Sequence, residues 1–450
     1  MADLFRPRWR EGDDPFRRIV VQTTLRFVEI EAAGGIVLVV AAAVAILWAN
    51  LDIASYDSFW HTHISIDLSI WSFDQSLQHV INDVLMVVFF LVVGAEIKRE
   101  FTHGELRNPR LAALPIVAAL GGMIVPAALY AALNAGGEGS SGWGIPVATD
   151  IAFALGVLAL VGRGVPVQLK VFLLTLAVAD DVGGILIIAI FYSDSIQIEW
   201  ILGMVGAIAF LLLLKRAGFR HSGIHAIGGV FLWLTLWEAG VHATLAGVIL
   251  GLIVPADALY DDKGITRRID YLLQRLRYVQ EDPDPAVREH DSHEALRNVE
   301  HVAREGLSPL ERLEENMAPI SAFVVVPIFA LANAGIHITG DSIDAALSSN
   351  IAWGIFIGLL LGKFVGIVGA SALAIRLGIA FKPEQLRWSH LGGAALLAGI
   401  GFTVAIFIAN LSFASGESEL LEGAKIGIFA ASIVAAVLGF AMLRWVRPRY

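Results

Sequence analysis

Apolar residues recur along the chain in runs of ~20, the length that lets a helix cross a bilayer. They fall near 32–50, 80–96, 111–133, 145–161, 171–191, 201–214, 223–236, 241–254, 319–334, 351–375, 390–410 and 422–443. Twelve such runs, several close to the minimum length, predict an all-α membrane protein of about twelve transmembrane helices with both ends of the chain on one side. Two stretches break the pattern. Residues 61–74 alternate polar and apolar, with Ile64, Ile66, Leu68 and Ile70 on one face. That is the period of a strand and predicts a small β-hairpin, whose edge could pair with a second subunit. In the polar 255–318 stretch, Ile265, Ile269, Leu272, Leu273, Leu276 and Val279 recur at helical spacing with arginines between them, which predicts a surface amphipathic helix. An acidic, proline-rich EDPDP follows it. The chain thus divides into a tail (1–31), helices one to eight (32–254), a long loop (255–318), helices nine to twelve (319–443) and a short tail (444–450).

Charge orients this array. Arg6, Arg8, Arg10, Arg17, Arg18 and Arg26 precede the first run, and no Lys or Arg follows until Lys98. Lys98, Arg99, Arg107 and Arg110 fill the next connection, and 134–144 has none. The alternation continues to Arg444, Arg447 and Arg449, with every second loop basic and the others lacking Lys and Arg. Basic loops stay in the cytoplasm, so both termini are expected there, which puts the hairpin outside and the 255–318 loop inside. The first run ends in Leu47, Trp48, Ala49 and Asn50 rather than in small residues, so it is expected to remain as an uncleaved helix. Composition agrees: hydrophobic residues make up 56% of the 450 and charged residues 16%, against ~25% charged in an average soluble domain. A net charge of −10 without a basic face argues against nucleic-acid binding. Zero cysteines exclude a disulfide scaffold, a thiol nucleophile and a thiolate-bound metal.

The informative residues are the ionisable groups inside apolar runs, each costing ~2.5–3.5 kcal/mol to insert. Asp180 and Asp181 form an adjacent pair in LAVADDVGGI, mid-way along the fifth run. Side chains of adjacent helical residues point ~100° apart, so one carboxylate can face a water-filled site while the other meets a cation. Lys363 is the only Lys or Arg in the middle of a run, and a carboxylate beside it would keep it charged. Lys425, near the start of the twelfth run, can snorkel to the interface. Asp150 and Thr149 lie in GWGIPVATDIAFALG, interrupted by Pro146 and glycines, and AGIGFTVAIFIA (398–409) is a Gly-broken segment in the corresponding place of the second half. Broken hydrophobic segments in matching positions point to a binding site made from discontinuous helices. Their ends carry partial charges that Asp150 and Lys363 have the right signs to balance. Asp83 and His242 are accessory candidates for which structural roles are the plainer reading. Glu96 precedes Lys98 and Arg99 at a helix end, where a surface ion pair is the default.

INDVLMVVFFLVVGAEIKREF (81–101), ATDIAFALGVLAL, LAVADDVGGI, GVHATLAGVI, LLGKFVGI and AGIGFTVAIFIA together resemble the NhaA-type sodium/proton antiporters, over roughly residues 20–255 and 319–445. Those antiporters are themselves among the proteins in which broken helices form the binding site. The resemblance implies an inverted-repeat transporter fold, with helices three to five and ten to twelve as the repeats and helices four and eleven unwound where they cross. It implies Asp181 as the main Na+-binding carboxylate, Asp180 as the partner of Lys363, and Asp150 and Thr149 in the crossing region. Glu96, Arg99 and Glu314 would lie at the cytoplasmic entrance, in the region linked to pH response. It implies a pH-regulated bacterial inner-membrane protein without cofactor, dimeric through its external hairpin, that exchanges internal Na+ or Li+ for more than one external H+. Three departures stand out. Phe364 follows Lys363 where proline is common, Glu315 and Ala318 replace histidines found in some members, and the 255–318 loop is long.

A carboxyl in water releases its proton near ~3.9. Burial and a second carboxylate work against the charged form, and an ammonium works for it. The expected mechanism is competition of H+ and cation for the aspartates, with alternating access. An intramembrane aspartyl protease would also need two buried aspartates, but it resembles a GxGD pattern that this chain lacks and has no need of a mid-membrane lysine. A symporter of organic anions is the third reading.

Overall fold

A computed structural model describes residues 33–67, 72–162, 165–193, 197–219, 222–258, 262–280, 284–413 and 418–445. The N-terminal tail, the hairpin residues Leu68 and Ile70, residues 281–283 of EDPDP and the end of the C-terminal tail lie outside the described residues. Helices α1 (Ala33–Leu51) and α2 (Ile53–Trp60) precede strands β1 (His63–Asp67) and β2 (Ser72–Ser76). Helices α3 (Leu77–Thr102) and α4 (Pro109–Asn134) follow, then a 3₁₀ segment Glu138–Val147, α5 (Ile151–Val161), α6 (Val167–Phe191), α7 (Ile198–Arg216), α8 (Ser222–Glu238) and α9 (Leu245–Ile253). After α10 (Asp262–Gln280) and α11 (Pro285–Glu305) come α12 (Pro309–Asn333), α13 (Gly340–Ser348), α14 (Asn350–Arg376), α15 (Trp388–Leu397), α16 (Phe402–Ser412) and α17 (Ser418–Trp445).

Among the described residues, eight helices (α1, α3, α4, α6, α7, α12, α14 and α17) are long and apolar enough to cross a membrane. The number rises to ten if each of two bent pairs counts as one span: Glu138–Val147 with α5, bent by 45°, and α15 with α16, bent by 46°. The difference from the twelve expected runs lies at 223–236 and 241–254. There α8 has 17 residues and α9 only 9. Gly240, at φ +75°, takes the left-handed conformation that ends α8, and a non-helical turn leads into α9. Outward leucines such as Leu47 in α1 and Leu202 in α7 are 59% and 73% exposed, a face that only lipid leaves without penalty.

The chain forms two compact units: residues 1–86, 108–193 and 319–450, and residues 87–107 and 194–318. In the first, β1 and β2 pair antiparallel, with Ser65 opposite Asp74. Asn108 and Pro109 start α4, the Asn side chain accepting from Arg110 N–H. Gly121 of α4 and Gly366 of α14 let these two helices cross with backbones touching, because a Cβ on either would overlap the other's backbone. A π-helical turn, Gly358–Gly362, sits inside α14 immediately before Lys363. Such turns rotate the residues that follow relative to a regular helix.

In the second unit, Ala95, Val254, Ala256 and Leu310 form a buried cluster. The expected surface helix is α10, but its apolar side is not left free. Leu272 and Val279 are buried, Arg275 bonds Glu294 of α11 at 3.3 Å, and Ile265 packs beside Gly306 just past the end of α11. An apolar stripe can face a bilayer or a neighbouring helix with the same spacing, and here it faces a helix.

Candidate functional site

The two helix breaks of the first unit are tied together by hydrogen bonds. Pro146 and the glycines before it cannot sustain a regular helix, and the backbone of Ala148, Thr149 and Asp150 is non-helical before α5 begins. In the other pair, 398–401 separate α15 from α16. Asp150 N–H donates to the Ile400 carbonyl at 2.6 Å, and Thr149 Oγ1 donates to the Ala398 carbonyl at 2.8 Å. The Asp150 carboxylate then serves two helices. Its Oδ1 accepts from Phe153 N–H at 3.0 Å, capping α5, and its Oδ2 accepts from Thr403 N–H at 3.1 Å and Thr403 Oγ1 at 2.6 Å, in the first turn of α16. One buried carboxyl therefore accepts from two helix N-termini, whose partial charges are positive.

Lys363 lies beyond the π-turn, fully buried, with Nζ 2.6 Å from Asp180 Oδ2. The Asp180 side chain is 1% exposed, and its Oδ1 is buried with no hydrogen-bond partner among the described residues. Thr149 neighbours this carboxylate. Asp181, half-buried, also acts electrostatically on Lys363. Thr149, Asp150, Asp180, Asp181 and Lys363 thus belong to one unit, and the lysine is paired with Asp180 while Asp181 acts on it through its charge. An unsatisfied carboxylate oxygen in a dry interior is costly unless a ligand completes it.

The other candidates lie elsewhere. Asp83 accepts from His79 Nε2 at 2.8 Å within its own helix, in a second π-turn, Ile81–Leu85. In the second unit, Arg99 Nη1 donates to Glu314 Oε2 at 3.2 Å, and Oε1 lies 3.1 Å from the same nitrogen without hydrogen-bond geometry. Glu96 interacts with Arg99, Glu314 and Glu100. His242 sits in the turn before α9, its carbonyl accepting from Leu245 N–H. Lys425 is buried in the first turns of α17. It is only 8% exposed, with Glu422 and Asp57 as the nearest opposing charges.

Sequence reasoning missed three participants. Thr403 follows the second break as Thr149 precedes the end of the first, and that symmetry was the available signal. Glu100, 6% exposed, lies 3.9 Å from Arg99. Asn333 Oδ1 accepts from Gln78, Asn82 and Asn410 at 3.2, 3.2 and 2.7 Å, and no local pattern marks such a hub.

Apolar spans, two broken helices and a buried ion pair mid-helix define a multi-pass membrane protein with charged groups in its interior. The family described as Na+/H+ antiporter 1 matches residues 25–443. The chain belongs to that family. It is 45% identical over 423 residues to the Na+/H+ antiporter NhaA of Janthinobacterium sp. (strain Marseille), covering 93% of this chain and 92% of the relative. It is 44% identical to NhaA of Rhodopirellula baltica, covering 94% of both chains. Among solved structures it is similar to the sodium proton antiporter MjNhaP1 from Methanocaldococcus jannaschii, at TM-score 0.48 and 15% identity over 95% of this chain and 99% of that one.

Proposed function

We propose that this protein is an electrogenic secondary antiporter of the bacterial inner membrane, exchanging cytoplasmic Na+ or Li+ for external H+. The observation that carries this reading is the sealed Lys363–Asp180 pair, whose second carboxylate oxygen has no partner in hydrogen-bond geometry among the described residues beyond the nearby Thr149 hydroxyl, with the more exposed Asp181 next to it. Hard cations take oxygen ligands, and Asp181 with Asp180 supplies them. H+ and Na+ compete for the same carboxylates, and alternating access carries whichever is bound. Lys363 offsets one of the two negative charges, and Asp150 stabilises the two half-helix N-termini around which the site is built, with Thr149 between the two carboxylates.

The finer reading follows family membership and loop charges. The chain crosses the membrane twelve times, α8 and α9 supplying two short spans. Helices three to five and ten to twelve form inverted repeats, and both termini are cytoplasmic. The β1–β2 hairpin is external and joins two copies into a dimer. Glu96, Arg99 and Glu314 form a charged cluster at the cytoplasmic entrance that sets the pH response, and Asp83 and His242 are accessory.

The test is dissipation of a pH gradient across proteoliposomes on adding Na+, Li+ or K+. Na+ and Li+ should collapse the gradient and K+ should not. Asp181→Asn should abolish Na+-dependent proton movement, and exchange at the wild-type rate would overturn the assignment.

A further inference from the structure

The α10–α11 hairpin has no part in the exchange site, yet it is built with care. Leu310 N–H donates to the Pro255 carbonyl at 3.1 Å, so the chain leaves and returns at one point. That point lies beside the end of α9 and the start of α12, and only residues 254–261 and 306–308 separate the hairpin from those two apolar helices. The apolar side of α10 is taken up by α11. Its opposite side carries Arg267, Tyr271, Gln274 and Tyr278 at spacings of four, three and four, one continuous stripe on a helix. Tyr271 and Tyr278 are 65% and 78% exposed, an unusual loss of contact for two large aromatic rings. Arg268 and Arg277 flank the stripe and are exposed, as is the acidic Asp270.

Tyrosine beside arginine is the composition of the membrane–water interface, where a ring sits at headgroup depth and a guanidinium pairs with phosphate. We propose that the outer face of α10 docks flat on the anionic headgroups of the bilayer that the chain itself spans. Positive charge on this face complements a negatively charged leaflet. The tether holds it within reach, and the occupied apolar side keeps the helix at headgroup level and out of the hydrocarbon. The fold thereby fixes the long loop against the membrane surface.

The absence of cysteine allows a background-free test. The full-length Tyr278→Cys protein is spin-labelled and reconstituted in nanodiscs of phosphatidylcholine alone or mixed with phosphatidylglycerol, with Ala303→Cys on exposed α11 as the reference site. Both faces of a nanodisc carry the same lipid, so the result does not depend on the sidedness of the loop or on exchange activity. The expected result is a second, lipid-protected component at 278 only in the phosphatidylglycerol discs. Its population should fall about fivefold for each of Arg267→Gln and Arg277→Gln, at roughly 1 kcal/mol per charge. Retained Na+-dependent proton movement in these variants certifies the fold. A label equally open to water in both lipids overturns the proposal. So does protection unaffected by the arginine substitutions, or dipolar broadening in both lipids, which would identify a second copy as the occupant.

Discussion

Lys363 is fully buried and its ammonium meets the Asp180 carboxylate, which makes each partner a liability without the other. Taking two ions out of water costs several kcal/mol each, which their attraction roughly repays at 2.6 Å. Removing one partner is a different matter, since it leaves the other charge buried alone. Lys363→Met should therefore destabilise the protein by about 3–5 kcal/mol. The double variant Asp180→Asn/Lys363→Met, which removes both charges, should regain most of that loss. Denaturation followed in detergent checks both, and the double variant should be folded yet inactive in exchange. A double variant as unstable as the single one would mean that the pair is held for stability. Asp74 shows the opposite economy at the surface. Ser65 and His63 hydrogen-bond its ionised form and hold its carboxyl below the ordinary range. A depressed pKa contributes stability that is complete above the unfolded value of 3.8 and fades as pH falls through the folded one. Amide exchange along His63–Asp67 should thus stay slow down to that value and quicken below it.

Between elements, the α4–α14 crossing brings two backbones into contact, and it yields a contrast within one helix. A Cβ at Gly366 would overlap the backbone of Gly121, whereas a Cβ at Gly369 meets nothing within 4 Å. Gly366→Ala should cost roughly 1–3 kcal/mol as an overpacked contact. Gly369→Ala should be neutral or stabilising by up to ~1 kcal/mol through helix propensity. Thermal inactivation of the two variants side by side checks this. The same crossing shows what could be read in advance. Long apolar runs announce spans because a bilayer demands ~20 residues, and Pro146 and the paired glycines announced the two breaks because they cannot sustain a helix. The π-turn at Gly358–Gly362 had no such marker: LLGKF is ordinary helical sequence, and only packing against Pro126 and Pro146 gives it a reason. The partner of α10 was equally hidden, since an amphipathic stripe does not name what covers it. Asn333 gathers three donors from segments hundreds of residues apart or more than seventy away, a pattern that exists only in three dimensions.

For the whole molecule, charge bookkeeping over one transport cycle connects the site to the membrane potential. In the proposed cycle Asp180 and Lys363 cancel, and Asp181 would leave one negative charge for a single Na+ to neutralise. A single proton on Asp181 would also give a neutral loaded site, so one-for-one exchange would move no net charge with the carrier. A second proton, on the other carboxylate, leaves the proton-loaded site with one positive charge, on which the potential acts at roughly 2.3 kcal/mol per 100 mV. The proposed competition would make the same stoichiometry visible by a second route. Each proton that must leave before Na+ binds raises the half-saturating Na+ concentration about tenfold per unit fall in pH, once the site is protonated. Two protons give about a hundredfold. Proteoliposomes at equal internal and external pH, titrated with Na+ at several pH values and at clamped potentials, measure both slopes. The expected result is a hundredfold shift per pH unit at the acidic end together with exchange that a potential accelerates. A half-saturation flat with pH would separate the two ions onto different groups. A tenfold shift with potential-driven exchange would move one proton off the aspartate pair and onto another buried group, for which Lys363, 2.6 Å from Asp180, is the nearest candidate.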